Sequence, residues 1–263
     1  MKNLSGALRE EYHRIFDWKN ILLTLVFTEL ILLAATLSYC RTYSYLDFSM
    51  YAMFNEIFKG VFMSMAELII IPVSAFATCA LYTDLRERWS YFMVSRTDLK
   101  AYIFAKMVIG VLYAGCLIFI AVCLYEGFLY VFTKGDIGNL ADSLDDYADL
   151  LEDNIVLYFI QRNILIAILA MFTTALGMSV TVIIMNRYIS YIAAFIAFII
   201  LDDIMVVTDG IFKPVKLLYG MVRFPGGIAE TLLLLLLMII VTAVICGNIV
   251  YFFAKWRYFD GKN

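Results

Sequence analysis

Histidine and proline are almost missing from this chain, and charge is scarce: it has one His, 3 Pro and only 16% charged residues, against 63% hydrophobic ones. With His13 as the sole histidine, the multi-histidine zinc sites and Ser-His triads of hydrolases are excluded. Cysteine offers no substitute, because Cys40, Cys79, Cys116, Cys123 and Cys246 are odd in number, scattered and without a CxxC pair. They read as small core residues rather than disulfides or metal ligands. An intramembrane aspartyl site needs two facing carboxylates, whereas Asp202 and Asp203 are adjacent and diverge on a helix. No catalytic or metal-binding residue is therefore expected. The net charge of -3 supplies no basic field for a nucleic acid. A phosphate-binding G-x-x-x-x-G-K-[ST] loop is also missing, and no polar segment is long enough to hold a nucleotide-binding domain. Nor does the N-terminus read as a cleavable signal, since acidic residues and Tyr12 to Trp18 precede the first apolar run.

What the chain has instead is apolar length. A mean hydropathy of +0.87 lies outside the range of soluble domains, and about 20 apolar residues cross a bilayer as a helix. Six runs qualify: Ile21–Tyr39, Val61–Tyr82, Ala101–Phe132, Ile155–Met185, Tyr188–Val207 and Ile228–Ala254. The expected fold is an all-α membrane protein, residues 1–263 forming one transmembrane domain. An even number of spans puts both termini on one side. The N-terminus, the segment 84–106, the Asn186–Arg187 turn and the C-terminal tail together hold 13 Lys and Arg, whereas the opposite segments hold 7. The positive-inside bias places both termini in the cytoplasm.

Against this background the stretch Tyr82–Lys106 stands out, mixing Asp84, Arg86, Glu87, Arg88, Arg96, Asp98 and Lys100 with Trp89, Tyr91 and Phe92. It reads either as a docking surface, where aromatics and Arg supply contact energy and charge fixes register, or as a solvated loop with its aromatics in the headgroup layer. Near the N-terminus, Leu4, Leu8, Tyr12 and Ile15 share one helical face, with Arg9, Glu10, His13, Arg14 and Asp17 on the remainder, which predicts an interfacial amphipathic helix over 1–19.

Within the spans, Glu29 and Glu67 are the costly residues, because a carboxylate at the bilayer centre is disfavoured by at least ~2–3 kcal/mol. They either line a path for a cationic or amphipathic cargo or serve as hydrogen-bonded packing groups. Pro72 is expected to kink the second span or free a carbonyl there. Thr173, Gly177 and Thr181, with Ala193 and Ala197, form small-residue stripes suited to close helix packing. On the opposite side, segment 134–154 reads as an acidic amphipathic cap, and segment 208–227, with Pro214 and Pro225, is apolar enough to enter the outer leaflet.

The cluster "DLRER" after the second run, "VSR" at Val94–Arg96, and Lys106 ten residues later, set in this six-span plan with its minimal fourth-to-fifth turn, resemble the permease subunits of type-2 ATP-binding-cassette transporters. The chain departs from that pattern at Trp89-Ser90, where Gly-Thr is common, and at Met93, where Pro is common. The resemblance implies an elbow helix over 1–19, an ATPase-docking loop over 83–100 carried by Arg86, Glu87, Arg88, Trp89 and Arg96, and an outer re-entrant hairpin over 208–227. It also implies a partner ATPase subunit holding ATP and Mg, a second permease copy or homologous permease, and export of a peptide, antibiotic or lipid-like substrate across a bacterial cytoplasmic membrane. A non-transporting sensor or immunity protein, binding a peptide at its outer face, is the alternative.

Overall fold

The computed structural model describes residues 4–42, 49–59, 66–87, 98–136, 154–207 and 228–256. Because backbone polar groups find no water in lipid, apolar runs of this length satisfy their own hydrogen bonds as helices. Every element among the described residues is helical: α1 (Leu4–Ile15), α2 (Trp18–Thr42), α3 (Met50–Lys59), a 3-10 turn (Ala66–Ile69), α4 (Ile70–Arg86), α5 (Leu99–Phe132), α6 (Ile155–Ile184), α7 (Arg187–Val207) and α8 (Ile228–Ala254). Four of them, α2, α5, α6 and α8, are long and apolar enough to cross a membrane. Segments 88–97, 137–153 and 208–227, which hold Arg88, Trp89, Arg96, the acidic cap and the re-entrant segment, lie outside the described residues.

Side-chain pairings give the direction of each helix. Thr24 meets Tyr113 at 2.9 Å and Thr36 meets Tyr125 at 2.6 Å, equal steps along α2 and α5, so these two helices run parallel. The contacts Gly115 to Met171 and Gly110 to Met178 run in opposite senses, making α5 and α6 antiparallel. Ala77 to Gly110 and Asp84 to Tyr102 do the same for α4 and α5. The Thr78 hydroxyl bonds the Ser190 carbonyl at 2.6 Å while Arg86 and Arg187 share a pocket, so α7 runs against α4. Gly247 beside Met107, and Lys100 over the Tyr251 ring, set α8 against α5. The helices α2, α4, α5, α6, α7 and α8 thus alternate in direction, and the start of α2 and the end of α8 lie at one end of the bundle.

Helices α5 and α6 form the inner pair, whereas α2 and α8 turn Leu22, Phe27, Leu30, Leu233, Leu236 and Ile240 outward. Such apolar faces suit contact with lipid chains rather than water. The α6–α7 connection falls one residue earlier than the expected Asn186–Arg187 turn. Met185 closes α6 in the left-handed conformation (φ 50°), Asn186 caps α7 by accepting from the Tyr188 N–H at 2.9 Å, and Arg187 already belongs to the helix. Pro72 lies in the first turn of α4, and the carbonyl it leaves without an N–H partner, that of Leu68, belongs to the 3-10 turn. Helix α3 was not anticipated. It buries Met50, Tyr51, Met53, Phe54, Ile57 and Phe58 across the end of the bundle opposite α1.

The small-residue stripe packs as expected. A Cβ on Gly177 would lie 2.6 Å from the Ala194 nitrogen and 2.7 Å from its Cα, so α6 and α7 touch backbone to backbone. Since the obstructing atoms are main chain, Gly177→Val should force the helices apart and lower stability by about 1–3 kcal/mol. Gly127→Ala, with nothing within 4 Å of the new Cβ, serves as the control and should leave the melting temperature in detergent unchanged.

Candidate functional site: a buried ion network at the end of the bundle

Helix α1 lies across the ends of α4 and α5, and the reason is electrostatic. Lys106, on the second turn of α5, is only 1% exposed, and its Nζ reaches Glu11 Oε1 at 2.7 Å and Asp84 Oδ2 at 2.7 Å. Arg14 Nη1 contacts both oxygens of Asp84, at 2.6 and 2.7 Å, and the Tyr102 hydroxyl donates to Asp84 Oδ2 at 2.5 Å. The ammonium also lies 5.5 Å from the centre of the Tyr102 ring. Two carboxylates and two cations, drawn from three helices, cancel one another, with Lys106, Asp84 and Glu11 buried and Arg14 partly open to solvent. Burial alone would lower the Arg14 pKa, but the Asp84 carboxylate more than offsets it and holds the guanidinium above its ordinary value.

This network corrects two expectations. Asp84, placed at the head of the docking segment, is buried at 2% exposure and faces inward. The inner face of α1 is Ala7, Glu11 and Ile15, with Leu4 and Leu8 half-buried, whereas Tyr12 is exposed and stacks on Phe16 with ring centres 4.7 Å apart. The helix is rotated toward Glu11 because a buried ammonium needs more than one carboxylate to offset its desolvation. A seam of Ile15 with Ile109, Tyr113 and Leu117 completes the contact, and Asn20 Nδ2 caps the carbonyls of Arg14 and Ile15 at 3.3 and 3.4 Å.

Of the expected docking residues, the described ones diverge. The Arg86 Nη1 donates to the Tyr82 hydroxyl at 2.7 Å and the guanidinium lies 5.8 Å from that ring, while Glu87 is exposed at the end of α4. Glu29 is half-buried on α2, with Oε1 shielded and without a hydrogen-bond partner among the described residues. It is not among the residues lining the apolar groove of about 420 Å³ between α2, α4 and α7, whose walls include Phe27, Ile31, Ile71, Pro72, Phe76 and Tyr191. Glu67 belongs to the 3-10 turn, and its side chain lies outside the described residues. Cys116 and Cys123 are exposed on α5 rather than set in the core, and Cys246 alone of the five is fully buried.

A second polar centre lies at the other end of the bundle, twenty positions along α5. Arg162, one of the 7 Lys and Arg assigned by sequence to the opposite segments, is fully buried in α6, where Nη1 donates to Asn55 Oδ1 at 3.2 Å and to the Tyr158 hydroxyl at 3.1 Å. Its guanidinium lies 5.5 Å from the Phe54 ring centre, which ties α3 to α6. Beside it Asn163 Nδ2 donates to Glu126 Oε2 at 2.7 Å. The position of Arg162 inside an otherwise apolar run was the signal for its burial. Between Lys106 and Glu126, α5 carries no charge, a rise of about 30 Å, the thickness of a hydrocarbon core. Among the described residues no three His, Cys, Asp or Glu are grouped to hold a metal ion. Compared with family models, curated proteins and solved structures, the chain matches none.

The network carries its own test. Lys106→Met leaves the buried Glu11 and Asp84 carboxylates without their shared ammonium and should cost about 3–5 kcal/mol. Adding Glu11→Leu should restore most of that loss, because Asp84 keeps Arg14 and Tyr102. Thermal unfolding of the two variants in detergent decides the matter, and a double variant no more stable than the single one contradicts the pairing.

Proposed function

We propose that this chain is the membrane-spanning permease subunit of an ATP-driven exporter built on the type-2 ATP-binding-cassette plan. In this reading it forms half of a transport path, completed by a second copy or a homologous permease, and a separate subunit binds ATP and Mg and hydrolyses the nucleotide. The observation that carries the reading is the clamp: an interfacial helix is fixed by charge to the ends of α4 and α5, beside the polar segment that joins them. A force applied to that segment from the cytoplasm reaches two membrane helices and α1 together. Alternating helix directions support six traverses. With the 3-10 turn added, the 17-residue α4 reaches about 33 Å, enough for the hydrocarbon core. The positive-inside bias then places both termini in the cytoplasm. The groove between α2, α4 and α7 has a largely apolar lining, which favours amphipathic or lipid-like cargo.

Reversing Arg88 and Arg96 to Glu should lower copurification with a coexpressed nucleotide-binding subunit by at least about tenfold, with the melting temperature of the permease unchanged. Undiminished association in that variant would remove the docking assignment. Glu29→Gln keeps size while removing the possible charge. If Glu29 lines the path, transport of a cationic cargo per folded complex falls; equal transport makes it a packing group.

A further inference from the structure

At the same end of the bundle as the ion network, two adjoining pockets of about 450 and 400 Å³ lie between the end of α4 and the α6–α7 turn. Both are lined by Tyr82, Arg86 and Arg187, with Tyr188 on one and Tyr191 on the other. We propose that this cleft binds the phosphate of an anionic phospholipid headgroup between Arg86 and Arg187.

Three observations lead there. First, neither guanidinium is paired with a carboxylate among the described residues. Glu87 also lines one pocket, yet among the described residues the ion pairs within 4.0 Å involve Arg14 and Lys106 and not these arginines. Two like charges sharing a cleft repel, and an anion between them relieves the repulsion. Second, the hydrogen-bond bookkeeping leaves a donor over. The Tyr82 oxygen accepts from Arg86 at 2.7 Å, so its own O–H is free to donate to a phosphate oxygen. The Asn186 side chain is already occupied in capping α7, so the helix terminus is not what attracts the anion. Third, the depth is right. The cleft lies beyond Lys106, where the uncharged stretch of α5 begins, and Tyr188, Trp18 and Trp256 are exposed at this same end of the bundle, as aromatic side chains are at headgroup level. A basic pocket between membrane helices at that depth selects a phosphate ester with a lipid tail. A free phosphate offers the same chemistry from another source.

The site requires only that the bundle spans a membrane, so its test is independent of whether an ATPase docks and uses the purified full chain alone. The chain is equilibrated in mixed micelles holding equal phosphatidylglycerol and phosphatidylcholine, and retained lipid is read by native mass spectrometry. Phosphatidylglycerol should be retained preferentially, and Arg86→Gln with Arg187→Gln should weaken that retention about thirtyfold, the loss of two surface cations. For the unaltered chain, retention should also fall steadily with added salt, a measurement that needs no variant to fold. Equal retention of the two lipids, salt-insensitive binding, or undiminished binding in the double variant overturns the proposal. Displacement by millimolar inorganic phosphate assigns the cleft to free phosphate and overturns the lipid assignment.

Discussion

An ammonium group sealed inside an apolar bundle is stable only if carboxylates meet it, and much of the architecture at one end of this molecule follows from that constraint at Lys106. Glu11 and Asp84 provide the carboxylates, and Arg14 then balances the surplus negative charge. Because the partners come from α1, α4 and α5, neutralising one charge fixes the relative positions of three helices. In water such pairs are weak, but here each partner's removal strands another charge in a medium that solvates it poorly. The rotation of α1, the burial of Glu11 and the outward turn of Tyr12 are consequences of the same requirement.

The remainder of the bundle is held by different means. Within the apolar interior, where burial gives helices little preference for one another over lipid, contacts rely on close approach and on hydroxyl pairs. Gly177 lets two backbones touch, and the threonines of α2 meet the tyrosines of α5. Charge reappears at the far end, where Arg162 is enclosed by α3 and α6. The uncharged length of α5 between the two polar centres matches the thickness of the layer it would occupy.

How much of this was legible in the sequence depended on the range of the interaction. The long apolar runs located α2, α5, α6, α7 and α8 to within a few residues, because a helix in lipid is specified locally. The stripe at Gly177 was legible for the same reason. Helix α3 escaped notice because ten residues are too few for a membrane span, and its polar positions interrupt the apolar pattern. The ion network was illegible for another reason: Lys106 and Glu11 stand 95 positions apart, and Arg14 and Asp84 stand 70 apart. Arg14, Asp84 and Lys106 each read singly as surface groups, and Glu11 was assigned to neither face of α1. Amphipathic patterning also misassigned the face of α1, since it treats every charge as water-facing. Arg162 was read among the loop cations although it lies well inside an apolar run, a position that argued for the burial the structure shows.

The threonine and tyrosine pairs of α2 and α5 bear on the order in which the chain is assembled. During synthesis α2 emerges first, and the partners of Thr24 and Thr36 lie 89 positions further on. Until α5 arrives, these hydroxyls have only their own helix to bond to, as Thr28 and Thr36 do through the carbonyls of Thr24 and Leu32. Glu11 waits slightly longer, 95 positions, for Lys106. The N-terminal third of the chain is therefore an unfinished surface until α5 packs against it, and a chain interrupted before α5 leaves each of these contacts half-made.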